Sequence, residues 1–105
     1  QLKSSIDCGV ECVEFHMGKY CRLFYEDNVQ AEIEFKKIYE LSVFAYDSGL
    51  EVHLGHGLDF TTTKKVTEIP CLQEVNIGFF LVAESIFSGL DSTIRKMKDI
   101  CDRNF

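Results

Sequence analysis

This 105-residue chain has little positive charge, no cysteine pair of the C-x-x-C kind and no long apolar run, and each shortage removes a class of function. Lysine and arginine number 11 against 17 aspartates and glutamates, which sets the net charge at −6 with the three histidines neutral. Such a field repels polyanions, whose nonspecific binding depends on basic side chains neutralising phosphates, so no nucleic-acid partner is expected. A single phosphate group is a different case, because a few backbone N–H groups at a helix start can hold it. The five cysteines, Cys8, Cys12, Cys21, Cys71 and Cys101, read as reduced thiols of a cytoplasmic protein. Cys8 and Cys12 have no second pair with which to share a zinc ion. The most hydrophobic stretch, Ile77 to Phe87, is interrupted by Glu84 and Ser85 and falls short of the roughly 20 residues that span a bilayer, so no membrane partner is expected. No signal peptide is expected from the opening residues, and the sequence does not open on methionine. Leu2 and Ile6 stand four apart with no cap before them, like the tail of a helix entered midway, so this start is not expected to be a natural one.

What is present is an alternation of two periods. Gln1 to Cys8 reads as helix, and Gly9 as its end. Val10 to His16 reads as a strand with Val13 and Phe15 on one face and Cys12, Glu14 and His16 on the other. Lys19 to Asp27 reads as a loop, and Asn28 as the cap of a long helix. That helix is expected to bury Val29, Ile33, Ile38, Leu41, Phe44 and Ala45 and to end at Gly49. Leu50 to Leu54 reads as a second strand, followed by the turn Gly55-His56-Gly57. Thr61 to Ile69 forms a short helix stopped by Pro70, and Val75 to Gly78 a short third strand. Phe79 to Ser88 and Leu90 to Arg103 are two helices separated by Gly89, the second with Ile94, Met97 and Cys101 inward.

The order α-β-α-β-α-β-α-α predicts an α/β fold with a parallel sheet and right-handed crossovers. No repeat, linker or low-complexity segment divides the chain, so residues 1–105 are read as one unit. Cys12, Glu14, His16, Glu51, His53 and Asn76 would share the face opposite the helices, and no segment remains to cover it. Part of a (β/α)8 barrel, whose interior carries polar groups near one rim, explains that face better than a small flavodoxin-like domain.

In such barrels the chemistry sits at the C-terminal strand ends, which here carry Glu14 and His16, then His53 and His56, then Asn76 and Gly78. A carboxylate at Glu14 suits acid–base work or charge stabilisation, against the plainer role of partner to an internal cation. His56 lies between two glycines, which offer no packing but allow close approach of a substrate; the plainer reading is an exposed turn histidine. His16 could orient a neighbour. Val75-Asn76-Ile77-Gly78-Phe79 runs from strand to helix start, where free N–H groups make an anion site or merely an ordinary turn. His53 and His56 have the chemistry of metal ligands, but their spacing does not make them converge, and no metal site is assigned.

At these residues the chain resembles a known family. Val13-Glu14-Phe15-His16-Met17-Gly18, the run from Gly49 to Leu58, Ile69-Pro70, Val75-Asn76-Ile77-Gly78 and Phe87-Ser88-Gly89-Leu90 are similar, in sequence and spacing, to signatures of pyridoxine 5′-phosphate synthase. The resemblance covers essentially the whole chain and implies the C-terminal part of a TIM barrel, strands six to eight. It implies condensation of 3-amino-2-oxopropyl phosphate with 1-deoxy-D-xylulose 5-phosphate in vitamin B6 biosynthesis, with no metal or organic cofactor. Carried over by motif, Glu14 matches the carboxylate that stabilises charged intermediates and His56 the proton donor. Gly57, Gly78 and Phe79 match positions that hold the aminoketone phosphate. The family usually has histidine where this chain has Phe79. Its other acid–base groups come from earlier strands, so this segment alone is expected to be inactive, and the full-length protein is expected to form homo-oligomers. Two other classes stay open at this point: a noncatalytic module binding a phosphorylated metabolite or a partner, and an unrelated barrel metal hydrolase.

Overall fold

A computed structural model describes residues 12–104. Strand β1 (Cys12–His16) is followed by helices α1 (Gly18–Glu26) and α2 (Asn28–Asp47). Strand β2 (Glu51–Gly55), helix α3 (Phe60–Val66), strand β3 (Leu72–Asn76) and helices α4 (Phe79–Ser88) and α5 (Leu90–Asn104) complete the order. The three strands form an open parallel sheet, β1-β2-β3, so the fold is α/β with strands alternating with helices. The expected helix at Gln1 to Cys8, its Gly9 end and the first two residues of the expected strand lie outside the described residues.

Side-chain alternation gives the sheet two unlike faces. Val52 and Leu54 are fully buried beneath the helices, with Val13, Phe15 and Val75 packed against the same core. Covering a valine or leucine completely contributes about 1.5–3 kcal/mol. The opposite face carries Cys12, Glu14, His16, Glu51, Glu74 and Asn76, all exposed. His53, half-buried on the same face, is held between two carboxylates, Nε2 at 3.0 Å from Glu51 and Nδ1 at 3.0 Å from Glu74.

Several elements differ from the sequence reading. Lys19 to Asp27 is not a loop: α1 occupies most of it, with Tyr20 and Cys21 buried and Leu23 and Phe24 against the core. That packing supplies what a nine-residue helix starting on glycine lacks in intrinsic stability. The cap of α2 is Asp27, whose carboxylate accepts from Gln30 N at 3.2 Å, and Asn28 is the first helical residue. The buried stripe of α2 is Ala31, Phe35, Ile38, Ser42 and Ala45, while Val29, Ile33 and Phe44 are exposed. The buried stripe keeps the expected Ile38 and Ala45 but runs through Ala31, Phe35 and Ser42 instead of Val29, Ile33 and Phe44. β3 starts at Leu72 rather than Val75, and α3 ends at Val66 rather than Ile69. Ile94 is exposed on α5, where Met97 is buried. Gly49, at φ +89°, does end α2 in the left-handed region that favours glycine.

Helix α3 is fixed at its start by a reciprocal cap. Asp59 Oδ1 accepts from Thr62 N at 2.8 Å, Thr62 Oγ1 accepts from Asp59 N at 2.8 Å, and the Tyr25 hydroxyl donates to the same carboxylate. Burial alone would raise the Asp59 pKa, but the Thr62 backbone N–H and the Tyr25 and Thr62 hydroxyls outweigh it and hold it below the ordinary 3.8. A lowered folded value means stability that is present above about pH 3.8 and lost as pH falls through the folded value. Asp59→Ala is expected to weaken the first turn of α3 by about 0.5–2 kcal/mol at neutral pH. Amide hydrogen exchange at Thr62 and Thr63 measures it, and the gap between wild type and variant should narrow below pH 3.8.

Candidate active site

The C-terminal ends of the three strands open into one cleft of about 1130 Å³. Glu14 and His16 enter from β1, His56 and Gly57 from the turn after β2, and Asn76, Gly78 and Phe79 from the end of β3 and the start of α4. All five residues singled out from the sequence, Glu14, His56, Gly57, Gly78 and Phe79, therefore line the same space. His53 is not among the lining residues, being engaged by Glu51 and Glu74. Among the described residues, no three histidine, cysteine, aspartate or glutamate side chains are arranged to hold a metal ion.

The turn after β2 is made by two consecutive left-handed residues, His56 at φ +78° and Gly57 at φ +83°. A histidine in this region stores strain, on the order of 1–3 kcal/mol, which its surroundings must hold. Two backbone bonds do so: Met17 N donates to Gly55 O at 2.8 Å, and His56 N donates to Asn76 O at 3.4 Å. The His56 ring stacks on His16, with centroids 4.0 Å apart and planes inclined by 29°. His16 Nδ1 accepts from Gly18 N at 3.4 Å. A Cβ on residue 18 would stand 2.9 Å from His16 Cε1 and 3.3 Å from His56 Cδ2, so glycine there leaves room for the stacked pair.

Across the cleft, Gly78 caps α4 without any side-chain hydrogen bond, which leaves the first-turn N–H groups of α4 for water or a ligand. A Cβ on Gly78 would meet nothing within 4 Å, so packing inside the chain does not demand glycine. The Phe79 ring is 89% exposed. Asn76 Nδ2 donates to Glu14 Oε1 at 2.5 Å. Sequence reasoning placed Asn76 at a strand end without a task, did not single out Gly18, and read Gly55 only as a glycine beside His56 that admits a substrate. No signal in one sequence reveals them, because their importance lies in contacts between strands.

Beneath the turn lies Cys21: a Cβ on Gly57 would come within 3.5 Å of its Cβ and 3.6 Å of its Sγ. Burial pushes this thiol up to about 11, with a smaller lowering by Thr62 and a further rise from Asp59.

The comparisons with known proteins agree on one family. Residues 1–103 match the family described as pyridoxal phosphate biosynthesis protein PdxJ. The pyridoxine 5′-phosphate synthase of Roseobacter denitrificans is 39% identical over 103 residues, covering 97% of this chain and 41% of the relative. Its counterpart in Rhodopseudomonas palustris is 36% identical over 104 residues, 98% of this chain and 41% of the relative. That of Caulobacter vibrioides is 38% identical over 103 residues, again 97% and 41%. The chain thus spans about 41% of the length of these curated relatives.

Thiol reactivity follows thiolate population and access, which sets Cys21 apart from the exposed Cys12. At pH 8, iodoacetamide should alkylate Cys12 and leave Cys21 unmodified in the folded chain, as peptide mass spectrometry would show. Equal labelling of the two would mean that the turn over Cys21 opens freely.

Proposed function

The chain belongs to the PdxJ family, and from that membership we propose that it forms strands six to eight of a (β/α)8 barrel and part of a pyridoxine 5′-phosphate synthase active site. The reaction joins 3-amino-2-oxopropyl phosphate to 1-deoxy-D-xylulose 5-phosphate and closes the pyridine ring, releasing phosphate and water. The observation that carries the reading is the convergence of Glu14, His56, Gly57, Gly78 and Phe79 on one cleft at the strand ends. Residues 1–105 act as one unit within the barrel. The remaining strands and the second acid–base set belong to the part of the family's length that this chain does not span. The full-length protein is taken to be a cytoplasmic homo-oligomer that uses no metal or organic cofactor.

Each residue has a physical task in this reading. Condensation of an amine with a carbonyl passes through cationic species, which the Glu14 carboxylate stabilises by fixed negative charge. Loss of water needs a proton delivered to the departing hydroxyl, and the His56 imidazole, with two ring nitrogens able to carry one, is the cleft group read as its donor. The left-handed turn aims His56 away from the core, while its stack on His16 restricts the ring. The aminoketone phosphate is bound by main-chain N–H groups at Gly57 and at the start of α4, where the helix dipole favours an anion. The Phe79 backbone retains its N–H, but its side chain cannot offer the hydrogen bond that the family's usual histidine would.

In the full-length enzyme, His56→Asn and Glu14→Gln should each lower kcat by about 10²- to 10⁴-fold while changing KM far less. Steady-state assay of pyridoxine 5′-phosphate formation measures this, and near-normal turnover in either variant removes that residue's catalytic role.

A second expectation concerns the anion site. A well-aligned imidazolium hydrogen bond contributes roughly 1.5–3 kcal/mol, about one to two orders of magnitude in affinity. Phe79→His should tighten aminoketone-phosphate binding by that factor, and Gly78→Val should weaken it by crowding the anion. Calorimetric titration of the three proteins decides it: no gain with histidine together with no loss with valine would put the phosphate elsewhere.

A further inference from the structure

Glu14 and Asn76 sit on the two outer strands, yet their side chains touch. Neighbouring strands lie about 4.8 Å apart, so a contact across two spacings requires the middle strand to offer no side chain in between. Gly55 meets that requirement. It pairs with His16 on one side and Asn76 on the other, two residues beyond the pairing of Glu14 with His53 and so on the same face. A Cβ on residue 55 would stand 2.9 Å from Glu14 Oε1 and 3.2 Å from the Asn76 carbonyl oxygen. The carboxylate therefore leans along β2 and crosses it at the only position on that strand without a side chain. The contact has one chemical sense, because an ionised carboxylate only accepts and the asparagine NH₂ only donates.

We propose that Asn76 and Gly55 are positioning residues for Glu14: the gap at Gly55 lets the carboxylate cross β2, and the Asn76 amide fixes Oε1, so that Glu14 meets the ligand through Oε2. The inference rests on the reading of Glu14 as the charge-stabilising group. On the three-stranded sheet both partners are exposed, so there water can replace either one and the bond contributes little to folding. What it contributes is direction. A glutamate on a strand end otherwise samples several rotamers, and a displacement of about 1 Å in a catalytic group can cost about 10²-fold in rate.

The test uses the full-length enzyme with three variants. Asn76→Ala should lower kcat by about 10²-fold with KM changed less than about threefold. Asn76→Asp keeps the shape but loses the donor, and should fall as far; a residue that only filled the strand end would be rescued by it. Gly55→Ala should lower kcat similarly, because the new methyl meets the flexible end of Glu14 and turns it aside. Nitrogen-15 NMR of the Asn76 side-chain amide supplies a readout independent of turnover. Its signal, displaced by the carboxylate in wild type, should move to the position of a solvated asparagine in both Glu14→Ala and Gly55→Ala. Wild-type turnover in Asn76→Asp, or an amide signal indifferent to Glu14→Ala, overturns the positioning role alone. Unchanged turnover in Glu14→Gln overturns the catalytic reading of Glu14 and the positioning role with it.

Discussion

The register of three parallel strands is the constraint on which the cleft depends. Strand side chains repeat with a period of two, so a slip of one residue would turn Val52 and Leu54 outward and bring Glu51, His53 and Gly55 under the helices. Burial of Val52 and Leu54 alone contributes about 3–6 kcal/mol, a large part of the 5–15 kcal/mol that holds a typical domain together. The slip is therefore excluded by the apolar face, and the polar face inherits its order. His16, Gly55 and Asn76 form one level across the sheet, and Glu14, His53 and Glu74 the level before it. The first level belongs to the cleft through His16 and Asn76, while the second contains an imidazole occupied by two carboxylates.

Much of this frame was legible in the chain because its strands alternate cleanly. Val13 and Phe15 against Glu14 and His16, or Val52 and Leu54 against Glu51 and His53, announce both the strands and their faces. Helix α1 was not legible. Its buried side, Tyr20 and Cys21, is only two residues wide and is mixed with Lys19, Arg22 and Glu26, so its order depends on contacts made by other elements. In α2 the periodicity was clear but its phase was ambiguous. Val29 and Ile33 suggest one stripe, whereas Ala31, Phe35, Ile38, Ser42 and Ala45 make the stripe that the sheet accepts. Alanine and serine weigh little on a hydrophobicity scale, so a stripe that includes Ala31, Ser42 and Ala45 is faint in the sequence.

The candidate site divides in the same way. Glu14, His56 and Gly78 could be named from strand ends and a glycine-flanked histidine, since each signal is local. The stack of His16 on His56 and the contact of Asn76 with Glu14 depend on how three strands align, including the irregularity between Val52 and His53 in the β2–β3 pairing. A single chain of letters holds no direct record of that alignment. The same holds for Gly18 and Gly55, whose value is the space they leave for side chains on other strands or at other levels.

Helix α4 has no fully buried residue: Phe79, Val82, Ile86 and Phe87 face solvent, Phe80 and Leu81 are half-buried, and its contacts are mainly with α5 and, through Phe80, with Phe60 of α3. A ten-residue helix with so little buried surface draws little support from packing, so α4 is expected to open locally more readily than the sheet, whose Val52 and Leu54 are fully buried. Its first turn is also the turn that begins at Gly78 and borders the cleft. An anion held there meets ordered N–H groups only when the helix is wound. Affinity at this rim is then the intrinsic affinity multiplied by the wound fraction, and any surface that covers the apolar side of α4 tightens binding without touching the ligand.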